Sequence, residues 1–241
     1  MQAALAEVLK HPSIWRGDGY TQSQSEVVGC GHPALAAALP GGGWPSAAVT
    51  EVVAARAGCG ELKLLMPVIA ELTRQGKPVL LVSPPHIPYA PAWQAAGIDL
   101  RHLTWAEAHT EYDALWTMEQ ALREPACGAV IGWFAQSLTD RQGRRLQLAA
   151  EAGGGCGFVL RQGKQDVSSP FPLRLSVEPL GGGIAVHVLK RRGAPLGRPV
   201  FLHQEALNTA SQTGAHHALA GTVPAHTIVR RTASRPLAQA A

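Results

Sequence analysis

The chain has 241 residues, of which 46% are hydrophobic and 16% are charged. This length and composition are typical of one large globular domain with appendages and exclude a disordered or fibrous protein. The net charge of +4 is unevenly distributed. Residues 1–160 contain 11 Lys/Arg and 14 Asp/Glu (net −3), whereas residues 161–241 contain 10 and 3 (net +7). A basic C-terminal part indicates either a solvated tail or contact with an acidic partner or nucleic acid.

The four cysteines lie far apart, at positions 30, 59, 127 and 156, without a CxxC pair or a nearby histidine at ligand spacing. This pattern argues against a zinc site and against a disulfide framework, so we expect free, mostly buried thiols. No apolar run approaches the roughly 18 residues needed to cross a bilayer, and no signal peptide is recognisable. The sequence therefore predicts a cytoplasmic protein without a membrane segment, metal or cofactor.

The chain begins with a predicted short helix at 2–10 and a polar linker at 17–26, so we assign 1–24 to an N-terminal helix and linker. One or two helical turns are predicted at 33–39, ahead of a glycine run. The first core strand is predicted at 49–55, because its residues are almost all apolar. A helix follows at 61–74, where leucine and isoleucine recur at helical spacing before a stop at Gly76.

Strands and helices then alternate along the chain. We predict strands at 77–83, 100–103, 128–133 and 157–161, and helices at 90–96, 107–124 and 138–152. Apolar runs without alternation are typical of strands that are covered on both faces. Connections of this length allow right-handed crossovers between parallel strands. The sequence thus predicts an α/β fold with a mainly parallel sheet flanked by helices.

After this series, alternating apolar residues at 173–178 and 184–190 predict an antiparallel hairpin with a long loop at 179–183. Beyond Arg192 no periodic pattern persists. We therefore expect a main domain over 25–192 with an added C-terminal β-hairpin, followed by a basic, largely disordered tail over 193–241.

Between the strand at 49–55 and the helix at 61–74 lies a glycine-rich turn containing Gly58 and Gly60. Strand, glycine-rich turn and helix form the architecture that holds nucleotide phosphates on backbone amides. The working motif has Lys and then Ser/Thr after its last glycine, for the phosphates and Mg²⁺. Glu61 and Leu62 occupy those positions here. No carboxylate follows the strand at 77–83, and none ends the strand at 128–133. These absences predict a degenerate phosphate loop and no ATP hydrolysis.

Residues 25–103 resemble the core of RecA-type recombinases in the segment that leads into the first core strand and in the position of Gly60. Several collinear blocks over roughly residues 12–193 are more closely similar to the ImuA family, which consists of catalytically degenerate RecA relatives. These blocks are Leu39-Pro40-Gly41-Gly42-Gly43-Trp44-Pro45, Gly60 to Leu65, Pro84 to Ala92, Ala126 to Trp133, Arg144 to Glu151 and Leu189 to Gly193. The tail after 195 resembles no family that we can place.

This resemblance implies a RecA-like domain and a non-catalytic accessory role in SOS-induced, error-prone translesion DNA synthesis. The implied partners are an ImuB-like Y-family protein and an error-prone replicative-type polymerase, with RecA as a further candidate. The ImuA family shares ancestry with SulA, the SOS-induced inhibitor that binds the tubulin-like division protein. A SulA-type cell-division inhibitor is therefore the alternative function.

Candidate contacts for a partner or for DNA are basic or aromatic residues. Arg141, Arg144 and Arg145 fall within one turn of a predicted helix, which makes part of one face basic. Lys190, Arg191 and Arg192 extend the end of the hairpin. Each group fits either phosphate or acidic-protein contact, with a solvated surface as the competing interpretation. Trp15 is a candidate anchor, and Trp44, between Gly43 and Pro45, is the tryptophan that we expect to be most exposed.

Overall fold

The computed structural model describes residues 26–163, 169–212 and 230–232 of the chain. Within them a central mixed sheet is flanked by helices on both faces, which confirms the predicted α/β class with a mainly parallel sheet. The predicted helix at 2–10 and the linker at 17–26 lie outside the described residues, apart from Glu26.

The strands are β1 (Val27–Gly29), β2 (Gly43–Pro45), β3 (Ala48–Ala54), β4 (Val79–Val82), β5 (Leu103–Glu107), β6 (Ala129–Phe134), β7 (Cys156–Gln162), β8 (Leu173–Leu180), β9 (Gly183–Lys190), β10 (Val200–His203) and β11 (Arg230–Thr232). The helices are α1 (Pro33–Ala36), α2 (Glu61–Arg74), α3 (Ala90–Ala95), α4 (Glu111–Arg123), α5 (Asp140–Gly153) and α6 (Gln204–Gln212), with 3₁₀ turns at Pro40–Gly42 and Leu100–His102.

The large sheet has the strand order β10-β9-β8-β3-β7-β6-β4-β5-β11. All neighbours from β8 to β11 run parallel, while β8–β9 and β9–β10 pair antiparallel. β1 and β2 form a separate two-stranded antiparallel sheet. β3 lies between β7 and β8, and all seven of its residues are buried. Its continuous apolar run thus reflects coverage on both faces, as predicted.

Each face of the sheet has its own apolar cluster. On one face α2 packs Leu64, Leu65, Val68 and Ile69 against the sheet. On the other face α4 and α5 pack a second cluster, which includes Met118, Leu122, Leu146, Ala149 and Ala150. Successive strand residues point to opposite faces, so Val130 joins the second cluster and Ile131 the first. The carboxyl ends of the parallel strands are therefore framed by helices on both sides.

Two helix starts follow from capping residues. The Thr110 hydroxyl accepts a hydrogen bond from the Asp113 amide at 3.1 Å, so α4 begins at Glu111 rather than at the predicted residue 107. The predicted strand at 100–103 also differs, because the Asp99 carboxylate accepts from the Arg101 amide at 3.0 Å and turns 100–102 into a 3₁₀ helix. Strand β5 consequently runs later, to Glu107.

The C-terminal part departs most from the expectation. β8 and β9 join through only Gly181 and Gly182, because Pro179 and Leu180 continue the strand opposite Ile184 and Gly183; the predicted long loop at 179–183 is wrong. β8 also pairs with β3, so these strands belong to the main sheet.

Residues 200–212, predicted to lie in the disordered tail, form β10 and α6. Leu202 and Leu207 are buried in the cluster against α2, which ties this segment to the domain. Two buried leucines form too short a pattern to predict these elements from the sequence.

His32, directly before α1, is buried, and this burial lowers the pKa of its imidazole from the usual 6.5. Because the unfolded chain takes up the proton at higher pH, stability is intact above about pH 6.5 and falls as the pH drops below it. We expect urea unfolding between about pH 5.5 and about pH 7.5 to show this loss. His32→Gln should flatten the profile, and an unchanged profile would contradict the assignment.

Candidate functional site

The candidate site is a cleft at the edge of the sheet where β3, β4, β5, β6 and β7 end. Parallel strands end at the same edge, which is where open α/β sheets place their ligands. The cleft has a volume of about 910 Å³. Its walls come from the loop after β3, the segment after β4, the start of α4 and the ends of β6 and β7.

The loop between β3 and α2 turns on two glycines with positive φ, Gly58 at +70° and Gly60 at +114°. A Cβ added to Gly60 would lie 2.8 Å from Cγ2 of Ile184 on β9, so backbone and sheet approach closely here. Two contacts with the Val177 carbonyl of β8 also hold the loop in place. The Ala55 amide donates to the Val177 carbonyl at 3.0 Å, and the Cys59 thiol contacts the same carbonyl at 3.5 Å.

The carboxylate of Glu61 lies inside this loop. Its Oε1 accepts a hydrogen bond from the Gly58 amide at 2.9 Å, and its Oε2 accepts one from the Gly60 amide at 3.0 Å. Glu61 is also the first residue of α2, where the helix dipole favours a negative charge. The side chain therefore takes the amide donors that an external anion would use and places its own charge in their midst.

The next two residues, Leu62 and Lys63, differ in burial. Leu62 is half-buried against the apolar cluster beneath α2, and Lys63 is exposed at the cleft. A hydrocarbon side chain at position 62 has no atom that can ligate a metal ion.

We expect Glu61→Ala to lower the free energy of unfolding by about 1–2 kcal/mol, since two charge-assisted hydrogen bonds at a partly exposed helix start are lost. The freed amides should then bind phosphate. At matched ionic strength, phosphate should raise the Tm of the variant more than that of the unsubstituted protein, and Glu71→Ala serves as the control. Equal shifts in all three proteins would show that these amides are not an anion site.

The opposite wall is formed by residues 83–89. Ser83 has φ of +51°, an uncommon conformation for a residue with a side chain. Its amide donates to the Ala106 carbonyl at 2.9 Å, and its Oγ accepts from the Ala108 amide at 3.2 Å, so the turn is held from both sides. Beyond the turn Ile87 and Tyr89 project into solvent, with 77% and 70% of their surface exposed.

A second carboxylate binds backbone amides at the cleft. Oε1 of Glu111, at the start of α4, accepts from the Ala135 amide at 3.1 Å and the Gln136 amide at 3.3 Å, just beyond β6. The sequence did not reveal this role, because residues 111 and 135 are brought together only by the crossover. Together Glu61 and Glu111 leave the floor of the cleft poorly suited to an anionic ligand.

The structure separates the three arginines predicted on one helix. Arg141 and Arg144 are exposed on α5. Arg145 instead pairs with the buried Glu119 of α4, which also accepts from Arg123 at 2.7 Å. Glu119 thus links the two helices, a role that the sequence pattern did not indicate.

The predicted basic group at the end of β9 is partly occupied within the fold. Lys190 Nζ donates to the Ser169 carbonyl at 2.9 Å. Arg191 donates to the Ala194 carbonyl at 2.7 Å and to the Ala38 carbonyl at 2.6 Å. Arg192 is exposed and has a polar interaction of its own. Lys190 and Arg191 therefore connect the end of β9 to the segments around Ser169 and Ala38.

The prediction that Trp44 is exposed is wrong. Trp44 is fully buried on β2, and its indole meets the Phe158 ring edge-on at a centroid distance of 5.3 Å. Trp44 lies opposite Val28 in the β1–β2 pair, and its indole packs into the core cluster that also contains Phe158. Trp15, the other predicted aromatic anchor, lies outside the described residues.

All four cysteines are free, as expected. Burial raises the pKa of the Cys127 and Cys156 thiols to about 11, which makes them poor nucleophiles. In the described part of the chain, no group of three or more His, Cys, Asp or Glu side chains is placed to hold a metal ion. None of the helices described combines the length and apolar character required to cross a membrane.

Comparison with known proteins identifies relatives of this chain. Residues 47–157 match the family model described as cell division inhibitor SulA, which covers somewhat less than half of the chain. The chain is 32% identical to the cell division inhibitor SulA of Klebsiella aerogenes over 99 residues, which cover 41% of this chain and 58% of that protein. It is 31% identical to the protein ImuA of Caulobacter vibrioides over 147 residues, which cover 59% of this chain and 60% of that protein.

The fold is that of an α/β protein. At its cleft, backbone amides of the loops donate hydrogen bonds to the side chains of Glu61 and Glu111. The chain is related to the ImuA and SulA proteins, which confirms the resemblance expected from the sequence. The matched region spans about six tenths of the length of these curated relatives.

Proposed function

We propose that this chain is a non-catalytic accessory protein of SOS-induced, error-prone translesion DNA synthesis. The likeness to ImuA carries the proposal, because it extends over 147 residues where the SulA likeness extends over 99. In this proposal the partners are an ImuB-like Y-family protein and an error-prone replicative-type polymerase, with RecA as a further candidate. The protein acts in the cytoplasm through protein–protein contacts.

The geometry of the loop supports a non-catalytic role. We interpret the loop after β3 as a degenerate phosphate loop in a RecA-like domain, in which the carboxylate of Glu61 replaces the phosphate as the acceptor for the Gly58 and Gly60 amides. A nucleotide would have to displace this carboxylate and overcome its charge, with Leu62 offering no metal ligand. The protein would keep the loop as a rigid support for surrounding surfaces.

A SulA-type inhibitor of cell division is the second candidate, supported by the family match over residues 47–157. That match runs from just before β3 to the first two residues of β7. The longer likeness to ImuA, over 147 residues against 99, favours the accessory role.

Deletion of the gene followed by DNA damage tests the two functions together. We expect damage-induced mutation to fall to the level of undamaged cells and to return when either the unsubstituted gene or Glu61→Ala is supplied. Filamentous cells upon overexpression, with mutation unaffected by the deletion, would support the SulA-type function instead. Unchanged damage-induced mutation and unchanged cell shape in both experiments would contradict the two functions alike.

A further inference from the structure

One solvent-exposed face of the protein combines arginines with large apolar side chains. Helix α4 exposes Tyr112 and Trp116, four residues apart, with 61% and 42% of their surface accessible. Helix α5 exposes Arg141, Arg144 and Leu148, and Leu148 is 64% exposed. Residues at these spacings lie along one side of a helix. Each helix thus presents a continuous stripe to solvent, opposite the side that packs on the sheet.

The two helices are held together by a buried carboxylate. Oε1 of Glu119 accepts from Arg123 Nη2 at 2.7 Å, and its Oε2 accepts from Arg145 Nη2 across to α5. The Glu119 side chain is only 5% exposed, whereas those of Arg123 and Arg145 are 56% and 42% exposed. This contact fixes α4 beside α5 and keeps both guanidinium groups at the surface, where each retains further donors.

We define the Arg–aromatic face as Tyr112, Trp116, Arg141, Arg144, Arg145 and Leu148. These six residues include three arginines and no carboxylate, although residues 1–160 as a whole have a net charge of −3. Arg123, the other arginine of the two helices, pairs with Glu119. The remaining acids of the two helices are Glu111, Asp113, Asp140 and Glu151; Glu111 accepts from the Ala135 and Gln136 amides, Asp113 from the Thr110 hydroxyl and Glu151 from the Gln147 side-chain amide.

We propose that the Arg–aromatic face docks an acidic, amphipathic helical segment of a partner protein. Apolar side chains of this segment would pack on Tyr112, Trp116 and Leu148, and its carboxylates would pair with the arginines. Trp, Tyr and Arg are the residues that dominate binding energy at protein interfaces. Two helices side by side leave a shallow groove that accommodates a third helix. The inference rests on the proposed function in that it supplies a surface for protein–protein contact.

A protein segment fits this face better than nucleic acid does. Polyanion binding depends on summed charge over many phosphates, and the surrounding part of the chain is net negative. A short acidic helix needs only the arginines of the Arg–aromatic face to pair with its carboxylates. It also covers the exposed apolar side chains, which a phosphate backbone would leave in contact with water.

Fluorescence anisotropy with a labelled synthetic peptide tests the proposal on the full chain. The probe is a helical peptide of about five turns, with Leu along one face and Glu on both flanks. A matched peptide carries Gln for each Glu, and a labelled single-stranded oligothymidine of similar length represents nucleic acid. We expect saturable, salt-sensitive binding of the acidic peptide and markedly weaker binding of the other two probes.

Charge reversal then locates the binding site. Arg141→Glu combined with Arg144→Glu should weaken acidic-peptide binding by about tenfold, and Trp116→Ala should weaken it as well. The matched control is Arg74→Glu with Arg101→Glu, exposed arginines on other elements, which changes net charge by the same amount. Circular dichroism confirms that each variant is folded.

Three results would overturn the proposal: no saturable binding of the acidic peptide, equal weakening by the control pair, or tighter binding of the oligonucleotide that is lost in Arg141→Glu/Arg144→Glu. The last would identify a nucleic-acid surface. These outcomes are independent of the mutagenesis assay, so the proposed function can hold while this docking surface fails, and the reverse.

Discussion

Replacement of Glu51 by Ala is expected to lower the free energy of unfolding by about 3–5 kcal/mol. Glu51 lies in the middle of β3, and its Oε1 accepts from Arg161 Nε at 2.6 Å while its Oε2 accepts from Arg174 Nε at 2.5 Å. The three side chains are 2–9% exposed and join β7, β3 and β8. Without the shared carboxylate, two guanidinium groups remain buried near each other with little water to solvate them.

Urea unfolding followed by circular dichroism measures this loss. Glu51→Gln keeps the shape and one acceptor oxygen, so it should lie between the unsubstituted protein and Glu51→Ala. The control is Glu71→Ala, which removes an exposed ion pair with Arg74 and should cost less than about 1 kcal/mol. A Glu51→Ala variant as stable as the Glu71→Ala control would show that the buried arginines do not depend on Glu51.

Trp44→Ala is expected to cost about 3–5 kcal/mol of unfolding free energy, because it removes a fully buried indole and leaves a cavity against Phe158. Trp44→Phe should cost less, since the ring contact survives in part and Nε1 of Trp44 has no hydrogen-bond partner among the described residues.

A second tryptophan supplies the comparison. Trp116→Ala, on the exposed side of α4, should change stability by less than about 1 kcal/mol. Thermal or urea unfolding of both variants therefore separates a core tryptophan from a surface one. A Trp44→Ala variant as stable as Trp116→Ala would contradict the burial of Trp44 and support the exposed position that its flanking residues predict.

Glu61 and Glu111 bind backbone amides at the same edge of the sheet. Each carboxylate accepts from two backbone amides at the carboxyl edge of the sheet. Such amides would otherwise need water or an anion as acceptor. These two side chains thus hold the loops around the cleft in place from within the chain.

The sequence located most of the elements that frame the cleft. Helix α2 was predicted at its observed bounds, because apolar residues recur at helical spacing between Gly60 and Gly76. Strand β3 was predicted within one residue, since an unbroken apolar run has few other interpretations. The residues after Gly60, Glu61 and Leu62, could also be read directly from the sequence, and the proposal of a degenerate phosphate loop rests on them.

Contacts between distant segments were not predictable in this way. The exposure of Trp44 was misjudged because its flanking Gly43 and Pro45 are typical of a surface turn, and only pairing of β2 with β1 directs the indole onto Phe158. Glu119 gave no sign that it would bind Arg145, since residues 26 positions apart become neighbours only when α4 packs beside α5. Leu202 and Leu207 likewise acquire a role only against α2.

The order of strands and helices, the α/β class and the identity of the residues in the loop follow from local composition and periodicity, which act over a few residues along the chain. The tertiary structure alone decided which charges are paired, which tryptophan is buried and which amides Glu61 and Glu111 bind. Those properties depend on distances between segments that are far apart in the sequence, and burial in the folded chain sets the strength of each contact.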